Sequence, residues 1–83
     1  MLEAKVYVTL KSGVLDPQGE TVKHALHSLG YAEVEGLRQG KFFVLRLQGN
    51  DPQKARPQLE QMCQRLLANP VIEDYQFEIR EVE

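Results

Sequence analysis

The chain has 83 residues, enough for one domain spanning 1–83, and a chain of this length buries only about 60% of its unfolded surface. Hydrophobic residues make up 42% and charged residues 27%, and ten basic residues against twelve acidic ones leave a net charge of −2. This composition excludes a disordered or fibrous chain and gives no electrostatic reason for a nucleic-acid or anionic-membrane partner. The single cysteine, Cys63, excludes an internal disulfide. The opening MLEAKVYV is neither a signal peptide nor a membrane span, so the expected compartment is the cytoplasm.

Val6, Val8 and Leu10 alternate with Lys5, Tyr7, Thr9 and Lys11, the period of a strand with one buried face. The corner SGVLDPQG, Ser12–Gly19, follows. Two glycines between a strand and a helix suggest a phosphate loop, but there is no G-x-G-x-x-G or G-K-[ST] pattern here. Asp16 places negative charge where a phosphate would sit, and Pro17 deletes an N–H donor. Asp16 instead caps a helix, and Pro17 occupies its first turn. Val22, Ala25, Leu26 and Leu29 fall at i, i+3, i+4 and i+7 and form one apolar stripe, which Gly30 ends in the C′ position.

A short strand over Glu33–Arg38, a turn at Gln39-Gly40 and a strand over Lys41–Leu47 read as a hairpin. Asp51 is a second cap before Pro52. Ala55, Leu59, Met62, Cys63 and Leu66 then mark a second helix, starting near Pro52 with a distortion expected at Pro57. Asn69-Pro70 stops it, and Tyr75, Phe77 and Ile79 alternate along a final strand.

The order is β-α-β-β-α-β. The expected fold is therefore α+β and ferredoxin-like, with both helices on one face of a four-stranded antiparallel sheet. The opposite face then carries Tyr7, Phe42 and Val44, an apolar cluster that in so small a domain marks an oligomer interface. The run Arg38–Val44 loosely has the basic-Gly-aromatic form of an RNA-binding strand. Alternation sends Phe42 and Phe43 to opposite faces, however, and no basic stripe accompanies them.

The candidates for chemistry are sparse. His24 and His27 lie on the solvent side of their helix without converging ligands, which reads as surface rather than metal. Cys63 sits beside an apolar stripe with no histidine at a suggestive spacing and reads as an inert thiol. Glu73 and Asp74 lie in an exposed connection, and Glu78, Glu81 and Glu83 decorate the last strand. No nucleophile, base and oxyanion donor assemble, so the chain alone is read as non-catalytic.

Two stretches carry a family resemblance. Gly13–Gly19 with the Val22…Gly30-Tyr31 run, and LLANPVIEDY at Leu66–Tyr75, together resemble the PurS-type small subunit of phosphoribosylformylglycinamidine synthase over essentially the whole chain. Arg38-Gln39-Gly40-Lys41 also fits. The resemblance implies a non-catalytic assembly subunit of purine biosynthesis, itself a dimer or tetramer. It would bridge a glutaminase subunit and a large synthetase subunit and support ammonia transfer between them. No cofactor belongs to this subunit, since ATP and Mg are used by the synthetase. Asp16, Pro17, Gln18, Asn69, Glu73 and Asp74, on two irregular segments stiffened by proline, are the expected partner contacts. The competing reading is an ACT-like dimer that senses an amino acid at the first strand–helix corner.

Overall fold

The computed structural model describes residues 1–82; Glu83 lies outside the described residues. Strand β1 (Leu2–Leu10) is followed by helix α1 (Pro17–Ser28), strand β2 (Gly40–Leu47), helix α2 (Pro52–Met62) and strand β3 (Glu73–Glu81). The described sheet has three strands, not the expected four, in the order β2-β1-β3, and β1 is antiparallel to both neighbours.

Strand alternation sorts the two faces as expected. Val6 pairs with Phe43 on one side and Phe77 on the other, and Ala4 with Leu45 and Ile79. All of these point toward α2. Leu2, Ala4, Val6 and Val8 are fully buried, because β1 is central and α2 lies over it. Leu59 and Cys63 on the helical side complete the core. Arg56 stacks over the Phe77 ring, and Tyr75 hydroxyl contacts Glu60 and Gln64, which draws α2 toward β3.

Both caps form as the sequence predicts. Asp16 Oδ1 accepts from Gly19 N–H at 2.9 Å, and Asp51 Oδ1 accepts from Gln53 N–H at 3.0 Å. Helix α1 is capped at Leu29 and followed by Gly30, whose φ of +102° lets the chain reverse without a Cβ penalty. Helix α2 starts at Pro52 and runs through Pro57, which is exposed.

Three expectations need correction. The first is the strand over Glu33–Arg38. That segment is irregular, and it runs back along α1 instead of joining the sheet. Its apolar residues Val34 and Leu37 are three apart and do not alternate, so they cannot line one face of a strand. Its backbone is committed elsewhere: Gln39 N–H donates to Asp16 Oδ2 at 2.9 Å, and Val34 carbonyl accepts from His27 Nε2 at 2.7 Å.

The second correction concerns α1. It does not share the covered face of the sheet with α2, and it contributes no residue to the core. Its stripe faces outward, with Leu29 73% exposed and Val22 39% exposed. The third concerns the end of the second helix. Cys63–Leu67 form a π turn, closed by Ala68 N–H donating to Cys63 carbonyl at 2.9 Å. The extra residue per turn shifts the helical phase, so Leu67 takes the inner position and Leu66 is turned out, 82% exposed.

Candidate functional site

The two segments expected to contact partners are far apart in sequence but meet at one end of the sheet. Leu10 pairs with Glu73 and Thr9 with Asp74. Beyond β1, Lys11 N–H donates to Ile72 carbonyl at 2.8 Å, and Val14 N–H donates back to Lys11 carbonyl at 3.1 Å. Gly13, at φ +89°, supplies the left-handed backbone this turn needs. Glu73 and Asp74, expected in an exposed connection, are the first residues of β3, and with the Asn69–Ile72 turn and the first corner they form one pole of the molecule.

Side chains lock each segment. The Asp16 carboxylate accepts the Gln39 and Gly19 amides, and these two bonds, Gln39's first, hold its carboxyl below the ordinary aspartate range. It is therefore ionised at neutral pH and ties α1 to the chain returning into β2. Gln18 Oε1 accepts from Gln39 Nε2 at 3.1 Å beside it. Gly19 is buried against Leu37 carbonyl, where an added Cβ would lie 2.8 Å from that oxygen. No side chain larger than hydrogen fits there.

On the other segment, Glu73 Oε1 accepts from Asn69 N–H at 2.7 Å and pairs with Lys41 Nζ at 3.4 Å. Asn69 Oδ1 accepts from Val71 N–H at 3.1 Å, and its carbonyl accepts from Ile72 and Glu73 amides. Asp16, Asn69 and Glu73 are therefore occupied in shaping the pole. Pro17, Gln18 and Asp74 are exposed on it.

The pole also carries apolar residues that were not singled out from the sequence. Leu15 is 76% exposed and Val71 79%. The available signal was their setting. Leu15 and Val71 stand next to proline-bearing turns, outside any periodic stripe, where no core was predicted to receive them.

Tyr7, Phe42 and Val44 fall on the face opposite α2, as expected, and all three are exposed. Tyr7 and Phe42 are cross-strand partners whose rings stack at 5.1 Å. Charged side chains flank the cluster on that face: Arg80 pairs with Glu3 at 3.3 Å, and Tyr7 hydroxyl donates to Glu78 Oε1 at 3.2 Å. An open depression lined by Tyr7, Thr9, Arg38 and Asp74 joins the cluster to the pole.

His24 and His27 are both exposed. Among the described residues, no three His, Cys, Asp or Glu side chains come together as a metal site, and no helix is long and apolar enough to cross a membrane. Cys63 is fully buried. Burial, and then the nearby Glu60 charge, push its thiol above the ordinary range and away from the nucleophilic thiolate.

The whole chain, pole included, matches known proteins. A profile of the PurS family, described as phosphoribosylformylglycinamidine (FGAM) synthase, matches residues 3–81. The phosphoribosylformylglycinamidine synthase subunit PurS of Bacillus subtilis (strain 168) is 50% identical over 99% of this chain and 96% of its own length. The crystal structure of Methanocaldococcus jannaschii PurS is described as one of the subunits of formylglycinamide ribonucleotide amidotransferase in the purine biosynthetic pathway. It superposes with a TM-score of 0.89 at 37% identity, covering all of both chains. A chain of the structure of PurLQS from Thermotoga maritima gives a TM-score of 0.83 at 32% identity, over 95% of this chain and 98% of that one. The chain therefore belongs to the PurS family of phosphoribosylformylglycinamidine synthase subunits in purine biosynthesis.

Proposed function

We propose that the chain is the non-catalytic assembly subunit of its synthase, a homo-oligomer that holds a glutaminase subunit and a large synthetase subunit together for ammonia transfer. It works in the cytoplasm and binds no cofactor of its own; ATP and Mg serve the synthetase. The observation that carries this reading is the pole, where both family-resembling segments meet and Leu15 and Val71 stay exposed. The superposition on a chain of PurLQS supports assembly, since that structure holds PurS within a larger complex. Nothing in the comparisons favours the amino-acid-sensing alternative.

The pole residues divide into two roles. Asp16, Asn69 and Glu73 keep its shape, while Pro17, Gln18 and Asp74 touch the partners directly. The Tyr7, Phe42 and Val44 cluster is a contact between copies, since a sheet face that stacks two aromatics in water gains by being covered.

The test is co-elution with the glutaminase and synthetase subunits of the same source. Replacing Asp74 by Lys together with Leu15 by Ser is expected to weaken co-elution at least tenfold while the far-UV spectrum stays unchanged. Full assembly with the doubly substituted chain would refute the docking assignment.

A further inference from the structure

Strand β3 has one strand neighbour, because the sheet order β2-β1-β3 leaves its outer side open. Which backbone groups face outward follows from the hydrogen bonds at the two ends of its ladder with β1. Val82 N–H donates to Met1 carbonyl at 2.9 Å, and Lys11 N–H donates to Ile72 carbonyl at 2.8 Å. Antiparallel pairs alternate between bonded and non-bonded. The bonded pairs are therefore Glu3–Arg80, Lys5–Glu78, Tyr7–Gln76 and Thr9–Asp74. The N–H and C=O groups of Tyr75, Phe77 and Ile79 point the other way, off the edge of the sheet. Glu73 N–H turns back to Asn69 carbonyl at 2.7 Å, but no hydrogen bond among the described residues takes up those three amides.

The common protections of an edge are missing here. β3 contains no proline, glycine or lysine, and its register with β1 runs unbroken from Glu73 to Glu81 with no bulge. What it carries instead is acid: four carboxylates against one arginine, a net −3 where the whole chain has −2. Arg80 is taken by Glu3 and Glu73 by Lys41, while Asp74, Glu78 and Glu81 make no ion pair among the described residues. Pairing β3 with a second β3 would bring two acidic strands together, so the edge repels its own kind and suits a basic one.

We propose that β3 receives an extended basic segment of a partner subunit of the synthase, added along its open edge by backbone hydrogen bonds. The segment alternates. Lys or Arg lies beside Asp74 and Glu78 on the open face, and apolar side chains lie beside Phe77 and Ile79 on the α2 face. The inference rests on the assembly role proposed above and adds where, and by which atoms, a partner is held.

The test uses the full chain. Isotope-labelled chain is transferred to D2O alone and after assembly with unlabelled glutaminase and synthetase subunits. Exchange is quenched, the complex is dissociated in dimethyl sulfoxide, and the surviving amide signals are read by NMR. In the chain alone, the amides of Gln76, Glu78 and Arg80 are expected to exchange slowly and those of Tyr75, Phe77 and Ile79 fast. Assembly is expected to slow the latter three by roughly tenfold or more. Glu78→Gln with Glu81→Gln, both away from the pole, is expected to weaken assembly about tenfold. Slow exchange of Tyr75, Phe77 and Ile79 in the chain alone would mean that a second copy closes the edge, and would overturn the proposal. A complex in which these amides stay fast would overturn the added strand and leave the assembly role standing. Unchanged assembly of the doubly substituted chain would overturn the basic occupant. No complex at all would overturn both the added strand and the assembly role.

Discussion

Leu59→Ala lowers the unfolding free energy by about 3–5 kcal/mol, the range for truncating a fully buried leucine and leaving a cavity behind. Leu59 is completely buried in one cluster with Ala4, Val6, Val8 and Cys63, where α2 closes over the central strand. In a small domain worth about 5–15 kcal/mol this is a large share of the total. The measurement is a urea midpoint at fixed protein concentration, read with an unchanged slope. Leu66→Ala is the control. Both leucines sit on the apolar period of the second helix, but the π turn rotates Leu66 to 82% exposure. Its loss stays within about 0.5 kcal/mol. Equal losses at the two positions would mean that the helix keeps a regular 3.6 period to its end.

On the homo-oligomer proposed above, Phe42→Lys is expected to separate the copies. Covering a phenylalanine is worth about 1.5–3 kcal/mol, and a twofold interface carries each substitution twice, so a dimer is expected to lose about 3–6 kcal/mol. That is roughly a 10²- to 10⁴-fold rise in dissociation constant, measured by sedimentation or dilution light scattering. The substitution spares the core, since Phe42 is 56% exposed on the face opposite α2. An unchanged dissociation constant would remove the Tyr7, Phe42 and Val44 face from the contact between copies.

Much of the fold was legible in the sequence because it rests on local chemistry. The strands alternate with period two, Asp16 and Asp51 cap their helices, Pro17 and Pro52 occupy first turns, and Gly30 ends α1. The failures share a cause, since each involves a choice that local pattern does not settle. The stripe of Val22, Ala25, Leu26 and Leu29 correctly announces an apolar helix face, but period alone does not say that the chain's own sheet leaves it uncovered. The hairpin reading of Glu33–Arg38 rests on the Gln39-Gly40 turn before Lys41–Leu47, while Val34 and Leu37 lack the alternation of a strand. The side-chain bonds that hold this segment to α1, from Asp16 and from His27, span 23 and 7 residues and leave no periodic trace. The π turn at Cys63–Leu67 has no proline or glycine to announce it.

The candidate site was half legible. The Asp16 and Asn69 segments stood out for their prolines and carboxylates, and antiparallel pairing of β1 with β3 brings them together. Their carboxylates were expected to face partners, but in the structure Asp16 and Glu73 turn inward to backbone amides. The exposed apolar residues Leu15 and Val71 leave no periodic trace, because a hydrophobic residue in a turn belongs to no stripe.

On the proposed role, the chain assembles a synthase and performs no chemistry of its own. Reconstitution tests this directly: glutamine-dependent formation of phosphoribosylformylglycinamidine is measured from purified glutaminase and synthetase subunits, with and without this chain. Product formation from glutamine is expected to require the chain, while the chain alone is expected to turn over neither glutamine nor ATP. Undiminished glutamine-dependent synthesis in its absence would refute the assembly role.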